Sequence, residues 1–249
     1  MLSRNESVCR RLSVQIIAIA SLFSILFAAL TISILTKMYR SDLTISASAD
    51  EEKSIIILDA GHGGEDCGAI GASGVYEKDL NFDITMQVGK LLEGYGYKVV
   101  YTRTEDKLLY KPEEDIKGIR KISDLRNRCK ISEEYENAIF ISIHMNSFSD
   151  SRYSGLQVYY SERNGQSSPL AQAIQTSVKT NLQTNNKRKI KASEGMYLLD
   201  NLDMPAILIE CGFLSNLEEC KKLSEKEYQK ELSFSIVCGI IEYMDKISD

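Results

Sequence analysis

Ile55-Ile56-Ile57-Leu58 is a run of four apolar residues that breaks off into Asp59-Ala60-Gly61-His62-Gly63-Gly64. A strand with one face in water alternates apolar and polar residues; this run does not, so both of its faces need cover. Two further runs share the character, at residues 138–143 and 206–209. Strands of this kind belong in a largely parallel sheet with helices packed on either side. Shorter extended stretches at 98–102, 155–160 and 195–199 bring the expected strand number to about six. Between them, Leu80, Ile84, Val88, Leu91 and Leu92 recur at helical spacing behind Glu77 and Asp79, acids that complement a helix N-terminus. Residues 120–136, 170–182 and 225–244 also read as helices. The expectation is a single α/β domain, mostly parallel, with helices on both faces.

The chain contains two histidines. His62 follows the first apolar run, and His144 closes the second, Ala138-Ile139-Phe140-Ile141-Ser142-Ile143-His144. If those strands are parallel, both histidines fall at the carboxyl edge of the sheet, where open α/β sheets bind ligands. Either one alone reads as an ordinary structural histidine. Their matched placement points to a metal pair, since imidazole is the commonest metal ligand. The third run, Ala206-Ile207-Leu208-Ile209, ends in Glu210. A carboxylate closing a buried strand is costly without a partner, and such groups gather at functional sites. Glu77 reads either as a residue suited to a helix start or as part of the same cluster. Two imidazoles and one carboxylate are a common catalytic zinc set with one position open to water, whose pKa zinc lowers to about 7. A nearby unligated carboxylate can take the water's proton and pass it to a leaving amine; Glu210 fits that role. Asp59 is placed to fix the tautomer of His62. The spacing is neither HExxH nor HxxE, so the fold must assemble the set.

The 249 residues carry a net charge of −5, which argues against a nucleic-acid binder. The short basic stretch Lys187-Arg188-Lys189 with Lys191 reads as a solvated face. The loop rich in glycine after His62 lacks the Gly-Lys-Ser/Thr ending of a phosphate loop. Six cysteines, at 9, 67, 129, 211, 220 and 238, form no CxxC pair, so a zinc–cysteine cluster is not expected. Ahead of the domain, residues 12–35 contain no charge. As a helix they span roughly 36 Å, against about 30 Å of membrane hydrocarbon. Arg4, Arg10 and Arg11 before it favour an internal N-terminus and an external domain. The expected layout is therefore a cytoplasmic 1–11, a transmembrane signal anchor at 12–35, a flexible linker at 36–53 and a catalytic domain at 54–249. Cleavage near Ala47-Ser48-Ala49 would instead release a secreted domain.

Residues 54–246 resemble the zinc-dependent N-acetylmuramoyl-L-alanine amidase family of the amidase-3 type. The resemblance is carried by Leu58-Asp59-Ala60-Gly61-His62-Gly63-Gly64, Glu77-Lys78-Asp79, Thr102-Arg103, the Phe140 to Asn146 segment, and Met204-Pro205 through Ile209-Glu210-Cys211-Gly212-Phe213-Leu214-Ser215-Asn216, in the family's order. It implies hydrolysis of the amide between the lactyl group of N-acetylmuramic acid and L-alanine in peptidoglycan. It also implies one zinc ion on His62, Glu77 and His144, with Glu210 as the catalytic carboxylate. Arg103, Arg128, Asn146 and Lys191 match family positions and are expected around the metal or against substrate. The segment 147–154 is too short for the inhibitory helix of some relatives, so regulation should come from outside, through a protein activator. A single anchor, short loops and the basic stretch align the chain with the germination-specific, spore-cortex branch. Two other readings compete: a zinc carboxypeptidase-like hydrolase of wall peptides, and a wall-binding scaffold without catalysis. A scaffold has no need of Glu210.

Overall fold

Cover on both sides is what the three apolar runs require, and the fold provides it. In a computed structural model, which describes residues 31–33, 36, 55–111, 113, 116 and 119–248, the runs form β1 (Ile55–Ala60), β3 (Ala138–Asn146) and β6 (Ala206–Phe213). They are neighbours at the centre of a six-stranded sheet completed by β2 (Val99–Tyr101), β4 (Gln157–Tyr160) and β5 (Lys191–Ala192). The strand order is β2-β1-β3-β6-β4-β5. Of the helices, α1 (Glu77–Gly94), α3 (Ser167–Asn181) and α6 (Lys226–Ser248) line one face. The other is covered by α2 (Arg120–Glu133) and the short α4 (Tyr197–Asn201), and α5 (Leu217–Ser224) follows β6.

Side-chain parity sorts the sheet into two cores. Ile56, Leu58, Ile139, Ile141, Ile143, Ile207 and Ile209 meet Leu80, Ile84, Val88 and Leu92 of α1, with Leu170, Ile174 and Val178 of α3 and Ile236 and Ile240 of α6. Each such side chain contributes about 1.5–3 kcal/mol on burial. Ile55, Ile57, Phe140 and Leu208 point the other way, against Cys129 of α2 and Leu198 and Leu199 of α4. This second core is thinner, because the buried positions of α2 are mostly polar: Ser123, Asp124, Arg128 and Ser132. The same parity continues past the core. Asp59 pairs with Ser142, and His144 with Glu210, on the face of α2 and α4.

The sheet is mostly parallel, as expected, and mixed at one pairing: β4 runs antiparallel to β6, and β5 runs parallel to β4. The cause lies in the connection from β3 to β4, which contains no helix and is too short for a parallel crossover. One expectation is corrected: residues 195–199 do not form a strand. Gly195 takes a positive φ of 73° and Tyr197 opens α4, which turns Leu198 and Leu199 into the second core; the strand lies earlier, at Lys191–Ala192.

By compactness the chain divides into Met1–Glu52 and Lys53–Asp249. Of the first unit, residues 31–33 are helical and the Thr36 hydroxyl donates to Ser33 O at 3.0 Å. The expected anchor and linker lie almost wholly outside the described residues, among which no helix is long and apolar enough to cross a membrane. The described cysteines, Cys67, Cys129, Cys211, Cys220 and Cys238, carry no disulfide.

Helices α3 and α6 touch where Gly239 faces Ile174. A Cβ at Gly239 would stand 2.6 Å from Ile174 Cα and 3.0 Å from Ala173 O, both backbone atoms. Gly239→Ala should therefore destabilise the domain by about 1–3 kcal/mol through overpacking, despite a helix-propensity gain near 1 kcal/mol. Gly94, at the end of α1, has open space at its Cβ. Gly94→Ala should be neutral or stabilising by up to about 1 kcal/mol. Urea unfolding of the two variants checks the opposite signs.

Candidate metal centre and active site

The carboxyl edge of the central strands gathers the polar groups. His62 sits in the loop after β1, Glu77 opens α1, and His144 lies near the end of β3. One ligand atom from each falls within 4.8 Å of the others. Glu77 Oε1 stands between the rings, 3.3 Å from His62 Nε2 and 3.0 Å from His144 Nδ1. The rings meet edge-on with centroids 5.0 Å apart. This closeness needs glycine at 61, where a Cβ would lie 2.2 Å from the His144 ring.

His62 and Glu77 are fixed from behind. His62 Nδ1 lies 2.9 Å from Asp66 Oδ2, which leaves Nε2 facing the cluster. Glu77 Oε2 accepts from Ala69 N at 2.8 Å; its Oε1 also accepts from Met145 N at 3.1 Å and Asn81 Nδ2 at 3.3 Å. Burial works against the charge of Glu77, but the two imidazoles hold its carboxyl far below the usual range. Burial also opposes protonation of His62, yet Asp66 and Glu77 outweigh it and raise His62 to about 9.

His62 adopts φ 61°, a left-handed conformation unusual for a residue with a Cβ. Two buried arginines hold it there. Arg128 donates to Ala60 O at 2.8 Å and His62 O at 2.8 Å; Arg103 donates to Ala60 O at 2.9 Å and Gly61 O at 3.3 Å. Arg128 is in turn neutralised by Asp59 at 2.6 Å and Asp124 at 2.8 Å. Asp59 also accepts from the Thr102 hydroxyl at 2.6 Å and the Ser142 hydroxyl at 2.5 Å. Burial alone would raise the Asp59 carboxyl, but Arg128 and these two hydroxyls keep it below its ordinary value.

Glu210 stands beside His144 in the β3–β6 register. Its Oε2 is sealed from solvent and has no hydrogen-bond partner. Burial pushes its pKa up to about 7, with the charge of Glu77 adding and His144 opposing. Next to the two histidines is a pocket of about 190 Å³ walled by Lys121, Leu125, Met196 and Tyr197.

A two-histidine, one-glutamate cluster with an unpartnered glutamate beside it is accompanied by likeness along most of the chain. The N-acetylmuramoyl-L-alanine amidase family model matches residues 56–242. The chain belongs to this amidase family. The germination-specific N-acetylmuramoyl-L-alanine amidase of Bacillus subtilis (strain 168) is 38% identical over 197 residues, 78% of this chain and 81% of that protein. The amidase LytC of the same organism is 30% identical over 190 residues, 76% of this chain and 35% of its own length. Among solved structures, the CwlD amidase from Clostridioides difficile, in complex with the GerS lipoprotein, superposes with a TM-score of 0.75 at 38% identity. That match covers 78% of this chain and 99% of CwlD.

Set against the residues singled out in the sequence, the amidase fold brings His62, Glu77, His144 and Glu210 together. Asp59 does not reach His62; Asp66 takes that place, because the turn bridging Gly63 and Asp66 folds the aspartate back under the ring. Arg103 and Arg128 are 2% and 1% exposed and shape the loop from beneath; Arg128 also borders the pocket beside the two histidines. Asn146 ends β3, where its carbonyl accepts from Leu214 N at 2.7 Å. Lys191 lies on β5, exposed, 4.0 Å from Glu194 and outside the cluster. Sequence reading missed Asp66, Thr102 and Ser142. Two of these act through a neighbouring strand or its end, and only register could have placed them.

Removing the guanidinium strands Asp59 in the interior, so Arg128→Met should cost about 3–5 kcal/mol at pH 7. The pH dependence has a definite sign. The folded pKa of wild-type Asp59 is lowered, so its contribution is present above the unfolded value of about 3.9 and lost as pH falls through the folded one. In the variant Asp59 is unpaired and gains by protonation. The stability gap between the two proteins should narrow between pH 7 and pH 4 in urea titrations.

Proposed function

We propose that this chain is a zinc-dependent amidase that cleaves the bond between the lactyl group of N-acetylmuramic acid and L-alanine, with His62, Glu77 and His144 holding one zinc ion and Glu210 moving the proton. The observation that carries this reading is the unpartnered, sealed Oε2 of Glu210 next to three converging ligand atoms. The residues fit the metal: two imidazole nitrogens and one carboxylate oxygen within 4.8 Å are a spacing and donor set that a single zinc ion can span. Zinc bound there would supply Lewis acidity toward the scissile carbonyl and toward water.

The chain's own residues do the rest. Asp66 on His62 Nδ1 and the two arginines beneath the loop keep Nε2 directed inward. Glu210 Oε2 makes no hydrogen bond that must first be broken, so it can accept a proton from water and deliver it to the departing L-alanine nitrogen. A pKa raised toward neutrality by burial suits a group that must do both.

The relatives support a setting for this reaction. Likeness to a germination-specific amidase supports a substrate in spore cortex peptidoglycan. The complex of CwlD with the GerS lipoprotein supports a protein partner for this chain, and we assign that partner the part of an activator. Residues 12–35 would anchor the domain on the outer side of a membrane, with 36–53 as the linker, unless cleavage releases it.

The test of the reaction uses the full-length chain on purified peptidoglycan, counting new L-alanine amino termini. Zinc should support release and a chelator should stop it. Glu210→Gln should lower the rate by about 100- to 10,000-fold while one zinc ion per chain is retained. Unchanged release in Glu210→Gln would remove Glu210 from the mechanism. Zinc affinity should also depend on pH. Because His62 holds a proton up to about pH 9, a metal must displace it, and apparent affinity should rise from pH 6 to pH 9 by up to about tenfold per unit. Competition with a chromophoric chelator measures this, and a flat profile would contradict a raised pKa at His62.

A further inference from the structure

One strand beyond Glu210 lies a second recess of about 760 Å³. Its walls come from the β3–β4 connection, the segment after α3, and α5. They are tied in place. Gln183 Oε1 accepts from Leu156 N at 2.8 Å, and Gln183 Nε2 donates to the Tyr228 hydroxyl at 2.9 Å. Glu219 accepts from Gly155 N at 2.8 Å and from Phe213 N at 2.8 Å, tying the end of the β3–β4 connection and the end of β6 to α5. Arg188 lies over the Phe213 ring at 4.4 Å and donates to Ser154 O at 2.8 Å. A pre-formed concavity of this volume is in the range of ligand sites.

The charge of the recess opposes that of the molecule. The whole chain carries −5, yet the recess is lined by four cations, Arg152, Lys187, Arg188 and Lys222, against two carboxylates, Glu218 and Glu219. Both oxygens of Glu219 are taken by backbone N–H groups. Arg152 is partly offset by Asp150 at 2.7 Å, whereas Lys187 and Lys222 project from exposed positions.

The recess is also joined to the reaction centre. Arg188 donates to Gln157 Oε1 at 2.8 Å, and Gln157 stands opposite Glu210 in the β4–β6 register. Gln157, on the strand next to that of Glu210, and Arg188 beyond it thus lead from Glu210 to the wall of the recess. A polymer with one stem at Glu210 can therefore place a neighbouring stem in the recess.

We propose that this recess is a second binding site, for the acidic stem peptide of a muramoyl unit adjacent to the one being cut, with its free carboxylates against Lys187, Lys222 and Arg152. The proposal rests on the amidase reading above. It gives the domain a hold on polymeric substrate that a single muramoyl peptide cannot use.

The experiment compares kcat/KM of the full-length, zinc-loaded chain on polymeric peptidoglycan and on a single muramoyl peptide. Lys187→Glu/Lys222→Glu should lower the polymer-to-monomer ratio about tenfold. Lys90→Glu/Lys230→Glu, an equal charge change on α1 and α6, should leave the ratio at its wild-type value. Polymer whose stem carboxylates have been amidated should lose the same factor with the wild-type chain and abolish the difference between wild type and the Lys187/Lys222 variant. A ratio within twofold of wild type in that variant overturns the proposal. So does full polymer preference after amidation, which would assign the recess to neutral glycan. Failure of the wild-type chain to release L-alanine amino termini from either substrate would instead sink the amidase reading.

Discussion

The guanidinium of Arg128 is almost wholly buried, and every partner it has belongs to the base of the catalytic edge. Two carboxylates, Asp59 and Asp124, cancel its charge; the carbonyls of Ala60 and His62 take the donors that remain. A buried ion cluster of this sort adds little net stability over a well-packed apolar core, because desolvation consumes most of the Coulombic gain. What it does provide is position. The loop carbonyls are held from beneath, so His62 can keep a strained φ and project Nε2 toward Glu77. Arg103 repeats the device from the end of β2, with its own donors on Ala60 and Gly61.

The sheet supplies the other half of the arrangement. Parity places Asp59 and Ser142 in one row and His144, Glu210 and Gln157 in the next, all on the face covered by α2 and α4. That cover is thin, so the reactive row opens to a pocket rather than to packed helix. The reversal of β4 matters here. It sets Gln157 across from Glu210 and carries Arg188 to the same edge, which is how a recess with cationic walls comes to lie beside the reaction centre.

Much of this could be read from the chain before any coordinates. Uninterrupted apolar runs ending in His144 and Glu210 announce strands buried on both faces with their chemistry at one edge, and the registers of β1, β3 and β6 agree. The family resemblance, in turn, supplied Glu77 as a third ligand. What could not be read depends on turns and register. Asp66 reaches His62 through a bridge between Gly63 and Asp66 that no periodicity signals. Arg128 stood out in the sequence as a residue near the metal or substrate, yet only the fold shows that it faces inward. Leu198 and Leu199 look alike in a strand or a helix; the positive φ at Gly195 decides between them.

The claim on which the account depends is that His62, Glu77 and His144 bind one zinc ion beside Glu210. Zinc-edge anomalous diffraction from crystals of the zinc-loaded protein tests it most directly. The account predicts a single peak within bonding distance of His62 Nε2, His144 Nδ1 and a Glu77 carboxylate oxygen, with Glu210 near the metal but not ligating it. A peak on other residues, or Glu210 taking the place of Glu77 as a ligand, would contradict it.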